Sequence, residues 1–186
     1  TTLLAAMLSH VDQSHRIVVI EDSKELNIDH PHVVKVQSRI ANSEGFGQVT
    51  MTDLVRQTLR MRPDRIVVGE VRGSEISDLL LALNTGHKGS ATTIHADDAT
   101  SVPTRIEALG LLAGLPRQAI HAQMFFAFDF VIQMHDAQRG SRGVSSIAKF
   151  SKHDDGTVFT EVLLFDSMFD DEDFVALGNE KMQVVA

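Results

Sequence analysis

The chain alternates short runs of β-branched residues with longer segments whose apolar residues recur at helical spacing. Four runs are too short for helices and predict strands, at residues 17–20, 33–36, 66–68 and 91–94. Five longer segments predict helices, at residues 1–8, 50–61, 74–83, 101–112 and 116–126. Strands that alternate with helices of this length build βαβ units, so we predict an α/β fold with a mainly parallel sheet and helices on both faces.

The last third of the chain predicts further strands and a tail. Residues 130–134 predict the last buried strand, and residues 144–150 and 158–164 alternate in polarity around the turn sequence Asp154-Asp155-Gly156. We expect this hairpin to form an antiparallel edge of the otherwise parallel sheet. Acids are frequent from residue 166 onward. We therefore divide the chain into one core domain, residues 1–165, and an acidic C-terminal tail, residues 166–186.

Composition narrows the class of protein. The 186 residues are 43% hydrophobic, which suffices for one buried core, and no shift in composition marks a second domain. The net charge of −8 argues against a surface that neutralises DNA phosphates, so we expect no direct nucleic-acid partner. The absence of cysteine excludes disulfides and thiolate metal sites, and it fits a cytoplasmic location.

The longest apolar stretch, residues 124–134, is too short for a membrane span. It is interrupted by Asp129 and falls well below the roughly 20 residues that a spanning helix needs. We expect any membrane attachment to be peripheral. No signal peptide is expected, because the N-terminus lacks the basic stretch that would flank an apolar core. The aromatic residues of this stretch predict a place in the hydrophobic core, and a contact with a neighbouring subunit is the second interpretation.

A lone acid, Glu70, follows the strand at 66–68 among several arginines. Ligands of open α/β sheets bind beyond the carboxyl ends of the strands, because loops and helix N-termini converge there. Glu70 is therefore the first candidate for catalysis. A structural acid that pairs with arginine at the end of a strand explains the pattern equally well.

Two adjacent acids, Glu21 and Asp22, follow the strand at 17–20. Carboxylates at such a position can hold a metal-bound water or polarise an attacking water, which is what phosphoryl transfer requires of the protein. Asp22 has a structural alternative, in which it caps the next turn or pairs with Lys24.

Two histidines, His87 and His95, bracket the strand at 91–94. A lone histidine is usually structural, but two of them that bracket a Gly/Thr-rich strand beside Glu70 favour a role, because imidazole can donate to a phosphate oxygen. A weaker alternative is a metal hydrolase that uses His95, Asp97 and Asp98, although no complete ligand set is evident.

Three segments together resemble one family. Residues 16–26 resemble the aspartate box of the type II/IV secretion ATPases, residues 62–73 their Walker B strand, and residues 84–96 their histidine box. The resemblance covers roughly residues 1–165. Within the family it is strongest to the CpaF/TadA branch, which drives assembly of tight-adherence (Flp) pili.

The resemblance implies a RecA-like ATPase core with ATP and Mg²⁺ as cofactors. Glu70 and Glu21 are implied as the catalytic residues that manage Mg²⁺ and the attacking water. The residues implied to contact the nucleotide are Thr1, Thr2, Asp22, Arg62, Arg72, His87 and His95.

The resemblance aligns Thr1 with the last residue of the phosphate-binding loop G-x-x-x-x-G-K-[ST], whose hydroxyl meets Mg²⁺. The glycines and the lysine of that motif do not occur in the 186 residues. We therefore expect the chain to begin inside its own nucleotide-binding motif and to bind ATP and Mg²⁺ weakly or not at all. A non-catalytic RecA-like remnant, at most an assembly partner, is the alternative to a motor subunit.

The resemblance also implies an assembly. Family members form hexameric rings at the inner membrane, where they act on a pilus or secretion platform protein, and they place the arginine at the Arg62 position near nucleotide at a subunit boundary. The arginines near Glu70 in the sequence predict a site completed across that boundary. They are Arg56, Arg60, Arg62, Arg65 and Arg72. The individual roles of Arg56, Arg60 and Arg105 stay open.

Overall fold

The computed structural model describes residues 1–136 and 142–165. Its helices are α1 (Thr2–Ser9), α2 (Met51–Thr58), α3 (Glu75–Leu83), α4 (Val102–Leu112) and α5 (Arg117–Ala127). Its strands are β1 (Ile17–Glu21), β2 (Val33–Gln37), β3 (Arg65–Val68), β4 (Ala91–Thr92), β5 (Phe130–Asp136), β6 (Arg142–Lys152) and β7 (Val158–Phe165). Short 3₁₀ turns lie at Leu59–Met61 and Ala99–Ser101. The α/β fold predicted from the sequence is confirmed.

The parallel sheet has the strand order β2-β1-β3-β4. All five residues of β1 are buried, as are three of the four in β3, which is typical of strands covered on both faces. Ile20 pairs with Val68 and with Val36, so the three strands end at the same level. The residues that follow them therefore meet at one edge, the carboxyl edge of the sheet.

Helix α1 packs on this sheet through Leu4 and Leu8, in a cluster that includes Ile17. Ser9, at the end of the helix, accepts a hydrogen bond from the N–H of Asp29, which precedes β2. The C-terminus of α1 thus lies at the amino edge of the sheet. An eight-residue helix is about 12 Å long, comparable to the strands, so its first residues lie toward the carboxyl edge.

Helix α2 begins at a complete capping box. The Thr50 hydroxyl oxygen accepts from the N–H of Asp53 at 3.1 Å, and the Asp53 carboxylate accepts from the N–H of Thr50 at 3.0 Å. The helix ends in the 3₁₀ turn before Arg62, whose φ is 52°, and Pro63 follows. A residue before proline disfavours the helical region, which explains why the predicted helix 50–61 stops here.

The C-terminal strands form a separate sheet, so the prediction of an antiparallel edge on the parallel sheet is wrong. β5, β6 and β7 pair antiparallel in that order. Residues 130–134 therefore open the second sheet instead of closing the first one. The two sheets share a core, since Ile132 and Ile147 pack in the same cluster as Leu4 and Ile17.

Two smaller differences concern β4 and the apolar stretch. β4 covers only two of the four residues predicted, and the next residue, Thr93, contacts the segment that carries Glu70 through its hydroxyl and its carbonyl oxygen. Met124 and Phe128 are buried as predicted, whereas Phe126 is 62% exposed. No helix in residues 1–136 or 142–165 is long and apolar enough to cross a membrane. The predicted tail, residues 166–186, lies outside the described residues.

Candidate functional site

The carboxyl edge brings together side chains from three strands. Asp22 follows β1, Glu70 and Arg72 follow β3, and His95 follows β4. Arg72 Nη2 donates to Glu70 Oε2 at 2.5 Å, and Arg72 Nη1 donates to Asp22 Oδ2 at 3.1 Å. His95 Nε2 lies 3.2 Å from Glu70 Oε1. The pattern of strand ends therefore predicted a real cluster.

The two carboxylates act on Arg72. The hydrogen bond to Glu70, followed by the charges of Glu70 and Asp22, raises the pKa of Arg72 above its ordinary value. The Arg72 side chain is 62% exposed, and exposed ion pairs contribute little to stability. This arrangement is therefore better suited to fixing the orientation of Glu70 than to stabilising the fold.

One carboxylate oxygen of Glu70 accepts no hydrogen bond from the described residues. Its side chain is only 16% exposed, and Oε1 is buried without a hydrogen-bond partner among the described residues. The nearby His95 nitrogen meets the distance of an ion pair but not the angles of a hydrogen bond. A buried carboxylate oxygen without a donor is costly unless a ligand or water supplies one. The structural alternative, an acid paired with arginine, accounts for Oε2 but not for Oε1.

Glu21 is buried at 3% exposure, and its Oε1 accepts the backbone N–H groups of Glu25 at 2.9 Å and Leu26 at 2.8 Å. Glu21 thus holds the loop after β1. Gly69 allows this, because a Cβ at Gly69 would lie 2.9 Å from Cγ of Glu21. Of the two acids, it is Asp22 that reaches the Arg72 cluster, and a role of Glu21 with water stays a prediction.

Two predicted site residues lie at the opposite edge. His87 precedes β4, where its Nδ1 contacts the carbonyl oxygen of Ala82 at 3.0 Å, and Arg62 precedes β3. Glu70 follows β3, whose four residues span about 13 Å. The prediction that the bracketed strand lies beside that of Glu70 is confirmed by the pairing of β3 with β4, but His87 lies at the other edge within one subunit. The parallel direction of β4 sends its two ends to opposite edges.

The arginines also separate. Arg56 pairs with Asp78 at 2.7 Å, and Arg65 donates to the carbonyl oxygen of Gly89 at 2.9 Å. Burial lowers the pKa of Arg65 below its ordinary value. Of the five arginines predicted around Glu70, Arg72 is the one that the described contacts place there. The sequence alone did not show which arginines lie near Glu70, because the residues before a strand and the residues after it lie at opposite edges of the sheet.

The direction of α1 places the N-terminal residues toward the carboxyl edge of the sheet. Thr1 is the N-cap of that helix, its hydroxyl makes no capping hydrogen bond, and both Thr1 and Thr2 are exposed. The Thr1 hydroxyl and Glu70 Oε1 are oxygen donors of the kind that Mg²⁺ prefers. Both residues are thus of the right chemical kind for Mg²⁺, and their assignment to that ion stays a prediction.

A dedicated metal centre is absent from the described part of the chain, where no group of three or more His, Cys, Asp or Glu side chains could hold a metal ion. The metal-hydrolase alternative is therefore wrong for these residues. Asp98 instead caps the turn before α4: its Oδ1 accepts from the N–H of Ser101 at 2.8 Å and from the Thr100 hydroxyl at 2.7 Å.

Two residues that support the cluster, Glu75 and Thr93, were not predicted from the sequence. Glu75 accepts the N–H groups of Arg72 and Gly73, and the Thr93 hydroxyl donates to the carbonyl oxygen of Gly69 at 2.5 Å. Glu75 looked like an ordinary acid in the first turn of a helix. The only signal was its spacing of three residues from Arg72.

The fold and its edge of polar residues define a class, the RecA-like ATPases, and solved structures of that class match it. The chain belongs to the Type II/IV secretion system protein family, whose model matches residues 1–155. A solved structure of the VirB11 ATPase from the Brucella suis type IV secretion system, in complex with sulphate, is 29% identical with a TM-score of 0.69. The match covers 80% of this chain and 44% of the VirB11 chain. The pilus retraction motor PilT with bound ADP, 21% identical over 93% of this chain and 43% of that chain, shows the shared fold at a TM-score of 0.56.

Curated relatives agree with the family. A Mycobacterium tuberculosis protein described as "Putative conjugal transfer protein" is 55% identical over 148 residues, which cover 80% of this chain and 42% of that protein. VirB11 of Brucella suis is 33% identical over 150 residues, which cover 77% of this chain and 41% of that protein. The chain thus spans less than half the length of these relatives. Their names come from conjugal transfer and type IV secretion, and they do not name the CpaF/TadA branch.

Proposed function

We propose that the chain is the catalytic part of an ATP-hydrolysing motor subunit that powers pilus assembly or protein secretion. The observation that carries the proposal is the buried Oε1 of Glu70 at the carboxyl edge of a RecA-like sheet, which accepts no hydrogen bond from the described residues and lies 3.2 Å from His95 Nε2. The family and the names of the relatives support the reaction class. The tight-adherence branch stays a prediction from the three sequence boxes.

The side chains of the cluster divide the work. Arg72 holds Oε2 of Glu70, so that Oε1 faces the place where a water can be oriented for attack on a phosphate. Asp22 holds the other arm of Arg72. His95, 80% exposed, lies where it can donate to a phosphate oxygen. Mg²⁺, when bound with ATP, neutralises charge on the phosphates.

The test compares turnover with nucleotide binding in the protein translated from the full gene that carries these residues. Glu70→Gln should leave ATP binding largely intact and lower turnover roughly 100-fold or more, the scale of a lost catalytic base. Glu161→Gln is the matched control, because Glu161 pairs with Lys149 on the antiparallel sheet. Turnover near the wild-type value in Glu70→Gln would return Glu70 to a structural role.

We further propose a ring of identical subunits, a hexamer by family resemblance, at the cytoplasmic side of the inner membrane. Arg62 and Glu70 lie at opposite edges of the sheet within one subunit. If Arg62 contributes to a nucleotide site, that site therefore belongs to the neighbouring subunit. Head-to-tail contacts between identical domains close into rings when the rotation permits. The expected partner is an inner-membrane pilus or secretion platform protein, and we expect no direct contact with nucleic acid.

A further inference from the structure

We propose that Glu75 is a positioning residue that holds Arg72 against Glu70 and Asp22. The inference rests on the proposed function, because the orientation of Arg72 affects turnover only if Glu70 is catalytic. Glu75 is the first residue of α3, and it is buried at 8% exposure.

The contacts of Glu75 are made with the turn that carries Arg72. Its Oε1 accepts the backbone N–H of Arg72 at 2.7 Å and the backbone N–H of Gly73 at 2.8 Å. Burial of a carboxylate is costly unless hydrogen bonds compensate, and bonds to an ionised acceptor are the strong kind. Both donors precede α3. Glu75 therefore reaches back to the turn, and it does not cap the first turn of its own helix.

The turn is shaped for this contact. A Cβ at Gly73 would lie 3.0 Å from Oε2 of Glu75, so glycine at this position leaves the carboxylate room for its close approach. Ser74, the N-cap residue, makes no side-chain capping hydrogen bond. Of the side chains described here, Glu75 is thus the one whose hydrogen bonds fix the backbone of residues 72–73.

A fixed backbone matters because Arg72 must reach two acceptors at once. Glu70 and Asp22 follow different strands, and Arg72 contacts both with one guanidinium. An arginine that is 62% exposed has many rotamers, and few of them meet both carboxylates. Without Glu75, the turn would move and Arg72 would release Oε2 of Glu70. Glu70 would then lose the contact that leaves Oε1 available.

A simpler role for Glu75 is the favourable interaction of a negative charge with a helix N-terminus. The two roles differ in what they require. A helix-terminus role needs the charge, whereas the positioning role needs a hydrogen-bond acceptor at Oε1. Glu75→Gln keeps the acceptor and removes the charge, and Glu75→Met removes both at similar size.

The first arm of the test measures ATP turnover in the protein translated from the full gene. Glu75→Met should lower kcat roughly 10- to 100-fold with KM little changed, the scale of a misplaced catalytic group, and Glu75→Gln should retain most of it. Thr50→Ala, which removes the cap of α2, is the control for lost stability and should leave kcat unchanged. A wild-type kcat in Glu75→Met, or a kcat in Glu75→Gln as low as that of Glu75→Met, overturns the inference.

The second arm needs no ATPase activity. Phenylglyoxal labels accessible guanidinium groups, and peptide mass spectrometry gives the labelling rate at Arg72, with exposed Arg60 as the internal reference. The rate at Arg72 should rise several-fold in Glu75→Met and stay at the wild-type value in Glu75→Gln. An unchanged rate in Glu75→Met overturns the inference. If the wild-type protein itself shows no ATPase activity, a raised labelling rate in Glu75→Met still supports the positioning role, and the missing activity contradicts the proposed function instead.

Discussion

His95 Nε2 lies 3.2 Å from Oε1 of Glu70, although the two residues follow different strands and are separated by 24 residues of sequence. The parallel pairing of β3 with β4 produces this contact, because it sends both chain segments out at the same edge. The contact links the histidine box to the Walker B strand. It supports a shared task for the two residues at a phosphate.

Arg72 should be required for turnover. Arg72→Ala in the protein translated from the full gene removes the donor that holds Glu70 Oε2, and we expect turnover to fall roughly tenfold or more. Arg72→Lys should not restore it, because a single ammonium does not replace a planar fork that reaches two carboxylates. Arg117→Ala is the matched control, since Arg117 pairs with Glu107 outside the cluster. Steady-state phosphate release measures all three, and equal rates in Arg72→Ala and wild type would contradict the assignment.

Arg62 should act on the site of a neighbouring subunit. Mixtures of Glu70→Gln and Arg62→Ala proteins, each inactive alone, should regain ATPase activity, because some sites in a mixed ring combine an intact Glu70 with an intact Arg62. Activity is measured against the mixing ratio, with ring formation followed by light scattering. Rings that form at every ratio without any recovery of activity would confine Arg62 to its own subunit.

The capping box of α2 should contribute to stability. Thr50→Ala removes the hydroxyl that accepts the N–H of Asp53, and the free energy of unfolding should fall by about 1 kcal/mol. Urea unfolding measures the loss. Thr85→Ala is a useful comparison, because the Thr85 hydroxyl donates to a carbonyl oxygen at the end of α3 and caps no N-terminus. An equal loss in both variants would argue against a specific capping contribution.

Glu107 should make the stability depend on acidity. Burial by itself raises the pKa of Glu107, but hydrogen bonds from His121 and Arg117 outweigh it and lower the pKa below 4.5. A folded-state pKa below the unfolded value gives stability that is present above the unfolded pKa and is lost as the pH falls through the folded pKa. Unfolding free energies measured between pH 7 and pH 3 should therefore fall less steeply in Glu107→Gln. Parallel curves for the variant and wild type would contradict this.

The fold was largely predictable from the sequence. Short β-branched runs such as residues 17–20 and 66–68 identified buried parallel strands, because burial on both faces demands continuous apolar residues. The polarity pattern also found the hairpin at residues 154–156. It could not show to which sheet that hairpin belongs, because strand pairing over long distances leaves no periodic signal in the chain.

The site was predictable in part. Strand ends pointed to Glu70, Asp22 and His95, because parallel strands deliver such residues to a common edge. The bracketing of β4 did not show that His87, which precedes that strand, lies at the other edge, and the role of Arg62 in the site of a neighbouring subunit stays a prediction. A position near a strand is therefore informative only together with the direction of that strand.

Nucleotide trapping tests the catalytic role of Glu70 most directly. Wild-type and Glu70→Gln proteins translated from the full gene are incubated with ATP and Mg²⁺, freed of unbound nucleotide by gel filtration, and the bound nucleotide is identified by chromatography. We predict that Glu70→Gln retains ATP while the wild type holds mainly ADP, because the variant binds substrate but cannot orient the attacking water. Conversion of bound ATP to ADP by Glu70→Gln at the wild-type rate would contradict the account.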